Sequence, residues 1–104
     1  MSTDVLEQLI GRTVIRVDKV HDYLQLVLSG DAILSIFNHY QYSADSLTEI
    51  EGLQLLAVNQ LAETISLNFG KGEIVLSVGM REDDYNGPEA MVLNRKDGPP
   101  VIWN

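Results

Sequence analysis

The residues of this 104-residue chain that could most readily bind a ligand or a metal ion are three consecutive carboxylates within residues 82–87, EDDYNG. Oxygen ligands at the first, third and fifth positions and glycine at the sixth are typical of the opening of a calcium-binding loop. The pattern then departs from that loop, because position seven is Pro88 and position twelve is Leu93 instead of a bidentate glutamate. We therefore interpret residues 82–87 as a solvated acidic turn and predict no metal site.

The two histidines, His21 and His39, fall in predicted turns or loops. With Asp22 or the carboxylates of residues 82–84 they could act as metal ligands or as an acid and base pair, although histidines in turns are usually ordinary surface side chains. No G-x-S-x-G, G-x-x-x-x-G-K-[ST] or G-x-G-x-x-G motif follows a strand, and without cysteine there is no thiol nucleophile. The sequence favours a protein that is not an enzyme and has no cofactor.

Acidic side chains outnumber basic ones by 15 to 7, which gives a formal net charge of −8. This balance disfavours nucleic-acid binding, which needs lysine and arginine to neutralise phosphates. Between Lys19 and Lys71 there is no lysine or arginine, whereas six carboxylates lie in that stretch. An excess of exposed carboxylates keeps many proteins soluble. The alternative interpretation is that these carboxylates form a surface that binds a basic partner.

The absence of cysteine fits a reducing compartment. The first residues, MSTDVLEQLIGRTV, are acidic where a secretory signal would be basic, and no apolar run approaches the length that spans a bilayer. We expect a cytoplasmic protein that does not associate with membranes.

The elements that must position these residues follow from an internal repeat, because residues 9–37 recur as residues 50–78 with an offset of 41. Identical positions are Gly11/Gly52, Val17/Val58, Leu26/Leu67 and Ile33/Ile74. One copy alone cannot bury its apolar face, so two copies of one supersecondary unit are expected to share a core. We predict a single domain over residues 1–104.

Local patterns predict a helix over residues 3–10, with Ser2 or Thr3 as its N-cap and Gly11 at its end. Alternating apolar residues and turn glycines then predict two three-stranded meanders and a tail. The predicted strands are residues 12–20, 23–29, 32–38, 52–60, 64–69, 73–78, 89–95 and 101–104, with turns at 70–72, 80–88 and 96–100. Residues 39–49 are predicted to connect the copies without strand structure.

The resulting fold class is mainly β. The two meanders, residues 12–38 and 53–78, are expected to pack as a sandwich or a partly open barrel behind the short N-terminal helix. Phe37 and Phe69 lie on apolar strands and are assigned to the core. The alternative is an α+β fold, if residues 43–50 form a helix.

Tyrosines accompany carboxylates in two predicted loops, with Tyr40 and Tyr42 in the connection and Tyr85 in the acidic turn. Tyrosine buries a large area at low entropic cost and its hydroxyl finds partners, so this combination suits a protein interface. The alternative is that these rings pack over the edge of the sandwich. The candidate partner-binding residues are Tyr40, Tyr42, Asp45, Glu82, Asp83, Asp84 and Tyr85.

Three segments together resemble small bacterial immunity proteins of contact-dependent inhibition and other polymorphic-toxin systems. They are IGRTVIRV (10–17), LVLSGDAILSI (26–36) and PEAMVLNRKDGPPVIW (88–103). Met91 departs from the resemblance, since an aromatic residue often stands there in such proteins. The resemblance implies a protein without catalytic residues that holds a toxin domain in a tight one-to-one complex.

Nuclease toxins of these systems are commonly basic, so an acidic partner would associate fast and compete for the phosphate-binding surface. The sequence-based hypothesis is therefore an immunity protein that binds a basic toxin domain. The alternative is a non-enzymatic structural or regulatory module that acts through self-association at a sheet edge or apolar patch.

Overall fold

The computed structural model describes residues 4–71, 73–96 and 98–104. Within them, helix α1 (Asp4–Glu7) precedes nine strands, and two short 3₁₀ helices span Leu47–Ile50 and Glu82–Asp84. The strands are β1 (Val14–Val20), β2 (Tyr23–Leu28), β3 (Ala32–Ile36), β4 (Tyr40–Tyr42), β5 (Leu55–Gln60), β6 (Thr64–Phe69), β7 (Ile74–Gly79), β8 (Met91–Arg95) and β9 (Gly98–Trp103). None of the described helices is long and apolar enough to cross a membrane.

The strands form two antiparallel sheets. The order is β1-β2-β3-β8-β9 in the five-stranded sheet and β4-β7-β6-β5 in the four-stranded sheet. Apolar side chains from both sheets form one hydrophobic cluster, which Leu6 and Leu9 join from the segment before β1 and Ile50 joins from the segment before β5. This arrangement confirms the predicted mainly β fold with a short N-terminal helix. The 3₁₀ helix at Leu47–Ile50 lies within the segment of the α+β alternative and is too short to change the class.

Strand alternation decides which side chains reach the core. The three leucines of β2 are at most 2% exposed, and Phe69 is fully buried as predicted. The assignment of Phe37 to the core is wrong. Because Ile36 takes the inward position, Phe37 lies half-buried outside the core and packs on Tyr23 with ring centroids 4.8 Å apart. Residues 32–37 are apolar except for Ser35, so the sequence shows no clear alternation there.

The two copies of the repeat meet where β1 and β5 begin. The backbone N–H of Gly11 donates to the carbonyl of Leu55 at 2.7 Å. The equivalent N–H in the second copy, that of Gly52, donates to the carbonyl of Val14 at 2.7 Å. If the two copies are related by a two-fold axis, each hydrogen bond from one copy to the other must have an equivalent in the opposite direction. The same rule holds at an isologous dimer interface.

The same relation appears in an isolated β-bridge just before β1 and β5 and in the irregularities of both strands. The bridge pairs Thr13 with Gln54, which are equivalent positions of the repeat. Both strands shift register at equivalent places, around Ile15 in β1 and around Leu56 in β5. An extra residue in a strand bends it locally, so both copies turn at the same point.

The strand that follows each copy pairs with the other copy. β4 follows the first copy and pairs with β7, whereas β8 follows the second copy and pairs with β3. The connection from β3 to β4 is residues 37–39, and the one from β7 to β8 is the longer segment 80–90. The copies therefore differ most at the end of the sandwich where these connections lie.

Two predicted boundaries are corrected by long-range pairing. Residues 39–49 are not free of strand structure, because Tyr40–Tyr42 pair with β7 as a three-residue edge strand. Strand β9 begins at Gly98, inside the predicted turn at 96–100, because it is paired there with β8. A strand this short, or one that begins in a glycine and proline segment, leaves no alternation for a sequence pattern to detect.

Helix α1 is shorter than predicted. It ends at Glu7, and single-turn backbone hydrogen bonds continue the chain toward Gly11. The predicted caps Ser2 and Thr3 and the turn residue Gly72 lie outside the described residues.

Substitution of the two repeat glycines tests the two-fold relation. Gly11 and Gly52 have φ of +93° and +87°, and no heavy atom lies within 4 Å of an added Cβ at either position. We expect Gly11→Ala and Gly52→Ala each to lower the free energy of unfolding by about 1–2 kcal/mol through backbone strain alone, measured by urea unfolding. Gly87→Ala is the matched control and is expected to be neutral, because Gly87 has open space and a φ outside the left-handed region. Clearly unequal losses of unfolding free energy in the Gly11 and Gly52 variants would contradict the structural equivalence of these two positions.

Candidate functional site

One end of the sandwich carries three adjoining cavities that together form a groove, which we call the end groove. The central cleft has a volume of about 660 Å³, the strand-side cavity about 240 Å³ and the aromatic slot about 180 Å³. The central cleft shares Asp22 and Asn86 with the aromatic slot, and it shares His39 and Tyr40 with the strand-side cavity. The groove is therefore continuous across the end where the two copies differ.

The β1–β2 turn places an imidazole and a carboxylate at the central cleft. Val20 pairs with Tyr23, so His21 and Asp22 form a two-residue hairpin turn. Such turns require positive φ, and His21 has φ of 51°. Histidine is one of the residues that occupy this left-handed region more readily than most, at some cost in strain. The turn thus holds both polar side chains at the edge of the cleft.

Two asparagines join the walls of the central cleft. Asn38 is 1% exposed, and its Nδ2 donates to the carbonyl of Gly79 at 2.7 Å, which ties the end of β3 to the end of β7. Asn86 Nδ2 donates to the carbonyl of Phe37 at 2.9 Å and so anchors the 80–90 connection. The Oδ1 atom of Asn38 has no hydrogen-bond partner within the described part of the chain.

Strand β4 contributes two aromatic rings. Tyr40 and Tyr42 are two residues apart on a strand and so share one face, with ring centroids 6.3 Å apart. Tyr40 is half-buried against the core, whereas Tyr42 is 41% exposed. Burial raises the pKa of the Tyr40 hydroxyl above its usual value, and the nearby Tyr42 adds to this effect. A tyrosine hydroxyl is protonated near neutral pH even at its usual pKa, so Tyr40 can donate a hydrogen bond.

The acidic turn lies beside the strand-side cavity as the 3₁₀ helix Glu82–Asp84. The backbone carbonyl of Asp84 accepts from the N–H of His39 at 2.8 Å, and its Oδ2 accepts from the N–H of Arg81 at 3.1 Å. A Cβ on Gly79 would overlap the Asp84 carboxylate, so glycine there leaves it room. Asp84 is thus committed to holding the turn, and the other two carboxylates of the helix are exposed.

Carboxylates outnumber cations at this end of the molecule. Six carboxylates lie on the end groove or the adjoining 3₁₀ helix: Asp22, Glu63, Glu82, Asp83, Asp84 and Glu89. They face two cations, Lys19 and Arg81. Arg81 is ion-paired with Glu63, whose hydrogen bond raises the pKa of the guanidinium, so its charge is balanced locally.

The opposite end of the sandwich carries charges of both signs. Four cations lie there among the described residues: Arg12, Lys71, Arg95 and Lys96. The carboxylates there include Asp31 and Glu73 and also those of the 43–54 segment, which runs from the start of β7 to the starts of β1 and β5: Asp45, Glu49 and Glu51. The excess of carboxylates over cations around the end groove gives that end a negative potential.

The structure brings five of the seven candidate partner-binding residues to the end groove or its rim: Tyr40, Tyr42, Glu82, Asp83 and Asp84. Tyr85 follows the same 3₁₀ helix, but it is half-buried and packs against the core. Asp45 is exposed before the 3₁₀ helix Leu47–Ile50 and lines none of the three cavities.

Both histidines are exposed and both line the central cleft. In the part of the chain that the structure describes, no three histidine, aspartate or glutamate side chains are grouped so that they could hold a metal ion. Sequence reasoning missed Lys19, Asn38 and Asn86 as cleft residues. Only their positions at strand ends and in the 80–90 connection could have suggested a role, and no motif marks them.

No protein-family model, curated protein or solved structure matches this chain. A β-sandwich does not by itself define an activity, because one fold serves many functions. The function must therefore be inferred from the chemistry of the end groove.

Proposed function

We propose that this chain is an immunity protein that binds a basic toxin domain through the end groove and neutralises it by occlusion. The observation that carries the proposal is the coincidence, at one end of the sandwich, of a tyrosine-lined cleft and six carboxylates. Aromatic rings at a concave site supply desolvated anchors, and surrounding carboxylates supply complementarity to a basic surface. The resemblance of residues 10–17, 26–36 and 88–103 to immunity proteins supports the same proposal.

The proposed mechanism has two stages. Carboxylates of the end groove and the adjoining 3₁₀ helix first steer the basic toxin domain toward the groove, which raises the association rate. Tyr40 and Tyr42 then become buried against the toxin and slow its dissociation, because desolvated aromatic anchors carry most of the binding energy of an interface. The bound chain covers the toxin surface that would otherwise contact phosphates. The proposal places this event in the cytoplasm of the producing cell.

The direct test is to mix the full chain with the C-terminal domain of the toxin encoded beside it. We expect a one-to-one complex in which toxin activity is lost. The association rate is expected to fall at least about tenfold from low to high ionic strength, because salt screens steering between exposed charges. An unbound toxin domain that stays fully active beside an equimolar amount of this chain would exclude the proposal.

Charge variants at the two ends locate the contact. Glu82→Gln combined with Asp83→Asn removes two exposed charges beside the groove and leaves Asp84 to hold the turn. We expect about 3–10-fold slower association and a nearly unchanged dissociation rate, since rim charges act mainly on encounter. Kinetics on the immobilised toxin domain would measure both rates.

The matched control carries the same change in charge at the opposite end. Asp31→Asn with Glu73→Gln alters two exposed carboxylates far from the groove, and we expect it to change association less than twofold. If both double variants slowed association equally, the rate would depend only on net charge, and the end groove would not be the contact site.

One observation favours the alternative of a self-associating module. The outer face of the five-stranded sheet carries two directly opposed apolar pairs, Val27 with Ile33 and Val92 with Ile102. Ile102 is 49% exposed. Light scattering after size exclusion separates the two functions, because a dimer that persists on dilution and ignores the toxin domain would support self-association at this face.

A further inference from the structure

The aromatic slot has walls of two kinds. On one side, the rings of Tyr23 and Phe37 pack at 4.8 Å between centroids with planes tilted by 41°. On the other side the 86–89 segment closes the slot, and Asn86 anchors it by donating to the carbonyl of Phe37. The cavity of about 180 Å³ is several times the ~30 Å³ that one water occupies in the liquid. It is therefore large enough for a side chain of a partner.

Two carboxylates stand at this slot. Asp22 enters it from the β1–β2 turn, and Glu89 enters it from the start of the segment that leads into β8. Within the described residues, the ion pairs are Arg16 with Asp18, Arg81 with Glu63, and Lys96 with Asp31. Neither Asp22 nor Glu89 belongs to one of these pairs, and neither accepts a hydrogen bond from another described side chain.

We propose that the aromatic slot binds the guanidinium group of an arginine side chain. The group is planar, so it can stack on the Tyr23 and Phe37 rings while its N–H groups reach the carboxylates of Asp22 and Glu89. An ammonium ion is more strongly hydrated and cannot stack in this way, so arginine fits the slot better than lysine. The inference rests on the proposed function only in naming a basic toxin domain as the source of the arginine.

The slot also extends the interface beyond the residues that the sequence suggested. It adjoins the central cleft through Asp22 and Asn86, so one bound arginine would sit next to the tyrosine anchors. An arginine held between rings and carboxylates is a typical centre of binding energy at protein interfaces. The slot would thus fix the orientation of the partner on the end groove.

The test needs no toxin. The ¹⁵N-labelled full chain is titrated with N-acetyl-L-arginine methylamide while its backbone amide signals are followed by NMR. We expect saturable shifts at residues 22, 23, 37, 86, 87 and 89. The lysine analogue is expected to bind at least about threefold more weakly, because it cannot stack. N-acetyl-L-citrulline methylamide has nearly the same shape without the charge, and we expect it to produce no saturable shift.

Variants separate slot binding from general attraction to an acidic protein. Asp22→Asn with Glu89→Gln is expected to weaken arginine binding at least ~5-fold, whereas the Asp31→Asn, Glu73→Gln control leaves it unchanged. Equal shifts with citrulline, equal losses in both variants, or shifts spread over both ends would overturn the inference. Shifts confined to the slot in a protein that fails to bind the toxin domain would overturn the proposed function and leave the guanidinium site standing.

Discussion

Replacing Trp103 by alanine is expected to lower the free energy of unfolding by about 3–5 kcal/mol, the range for removal of a buried tryptophan. Trp103 is 1% exposed and lies opposite Met91 in the pairing of β9 with β8. Its removal leaves a cavity where the last strand closes the five-stranded sheet. Because small domains have a free energy of unfolding of only about 5–15 kcal/mol, this single change would remove much of the stability of the chain. Urea unfolding with an unchanged m-value is the measurement.

The neighbouring residue provides the control. Ile102 is 49% exposed and points away from the core, so Ile102→Ala is expected to cost about 1 kcal/mol or less. Trp103→Phe, which keeps most of the apolar volume, should fall between the two and remains measurable if the alanine variant does not fold. Similar losses for the Trp103 and Ile102 variants would mean that β9 does not bury Trp103 in solution.

Loss of both groove tyrosines is expected to have the largest effect on function. Tyr40→Ala with Tyr42→Ala should weaken binding to the basic toxin domain at least ~30-fold, because residues that anchor an interface contribute 2 kcal/mol or more. The loss should appear mainly in the dissociation rate, since the charges that steer association are untouched. Calorimetry and dissociation kinetics on the isolated toxin domain measure the two quantities.

Stability must be separated from binding in this experiment. Tyr40 packs partly against the core, whereas Tyr42 is exposed, so Tyr42→Ala alone should weaken binding ~10-fold with little change in thermal midpoint. Ile15→Ala removes another exposed apolar side chain, 59% accessible at the irregularity of β1, and should leave affinity unchanged. If Tyr42→Ala binds as tightly as the unmodified chain, the tyrosines are not the anchors.

The scaffold was predictable because its determinants are local. Leu24, Leu26 and Leu28 alternate with polar or outward residues, and glycines mark the turns, so the meanders could be placed within a few residues. The failures lie where long-range pairing decides. Tyr40–Tyr42 become a strand only because β7 offers them an edge, and Phe37 leaves the core because Ile36 takes the inward register.

The sequence predicted only part of the candidate site. Tyr40, Tyr42 and the acidic turn stood out because aromatic and charged residues are conspicuous in polar loops. The aromatic slot did not, since Tyr23 and Phe37 are far apart in sequence and meet only through the pairing of β2 with β3. No periodicity reports such a contact.

The sequence by itself determined two copies of a three-stranded unit, their turns and the acidic balance of the chain, because alternation, turn chemistry and charge are properties of neighbouring residues. Only the tertiary structure decided that β4 and β8 exchange between the copies and that the unequal connections 37–39 and 80–90 meet at one end. The physical reason is that backbone hydrogen bonds between distant strands set the register. That register brings the tyrosines, the asparagines and the carboxylates together in the end groove.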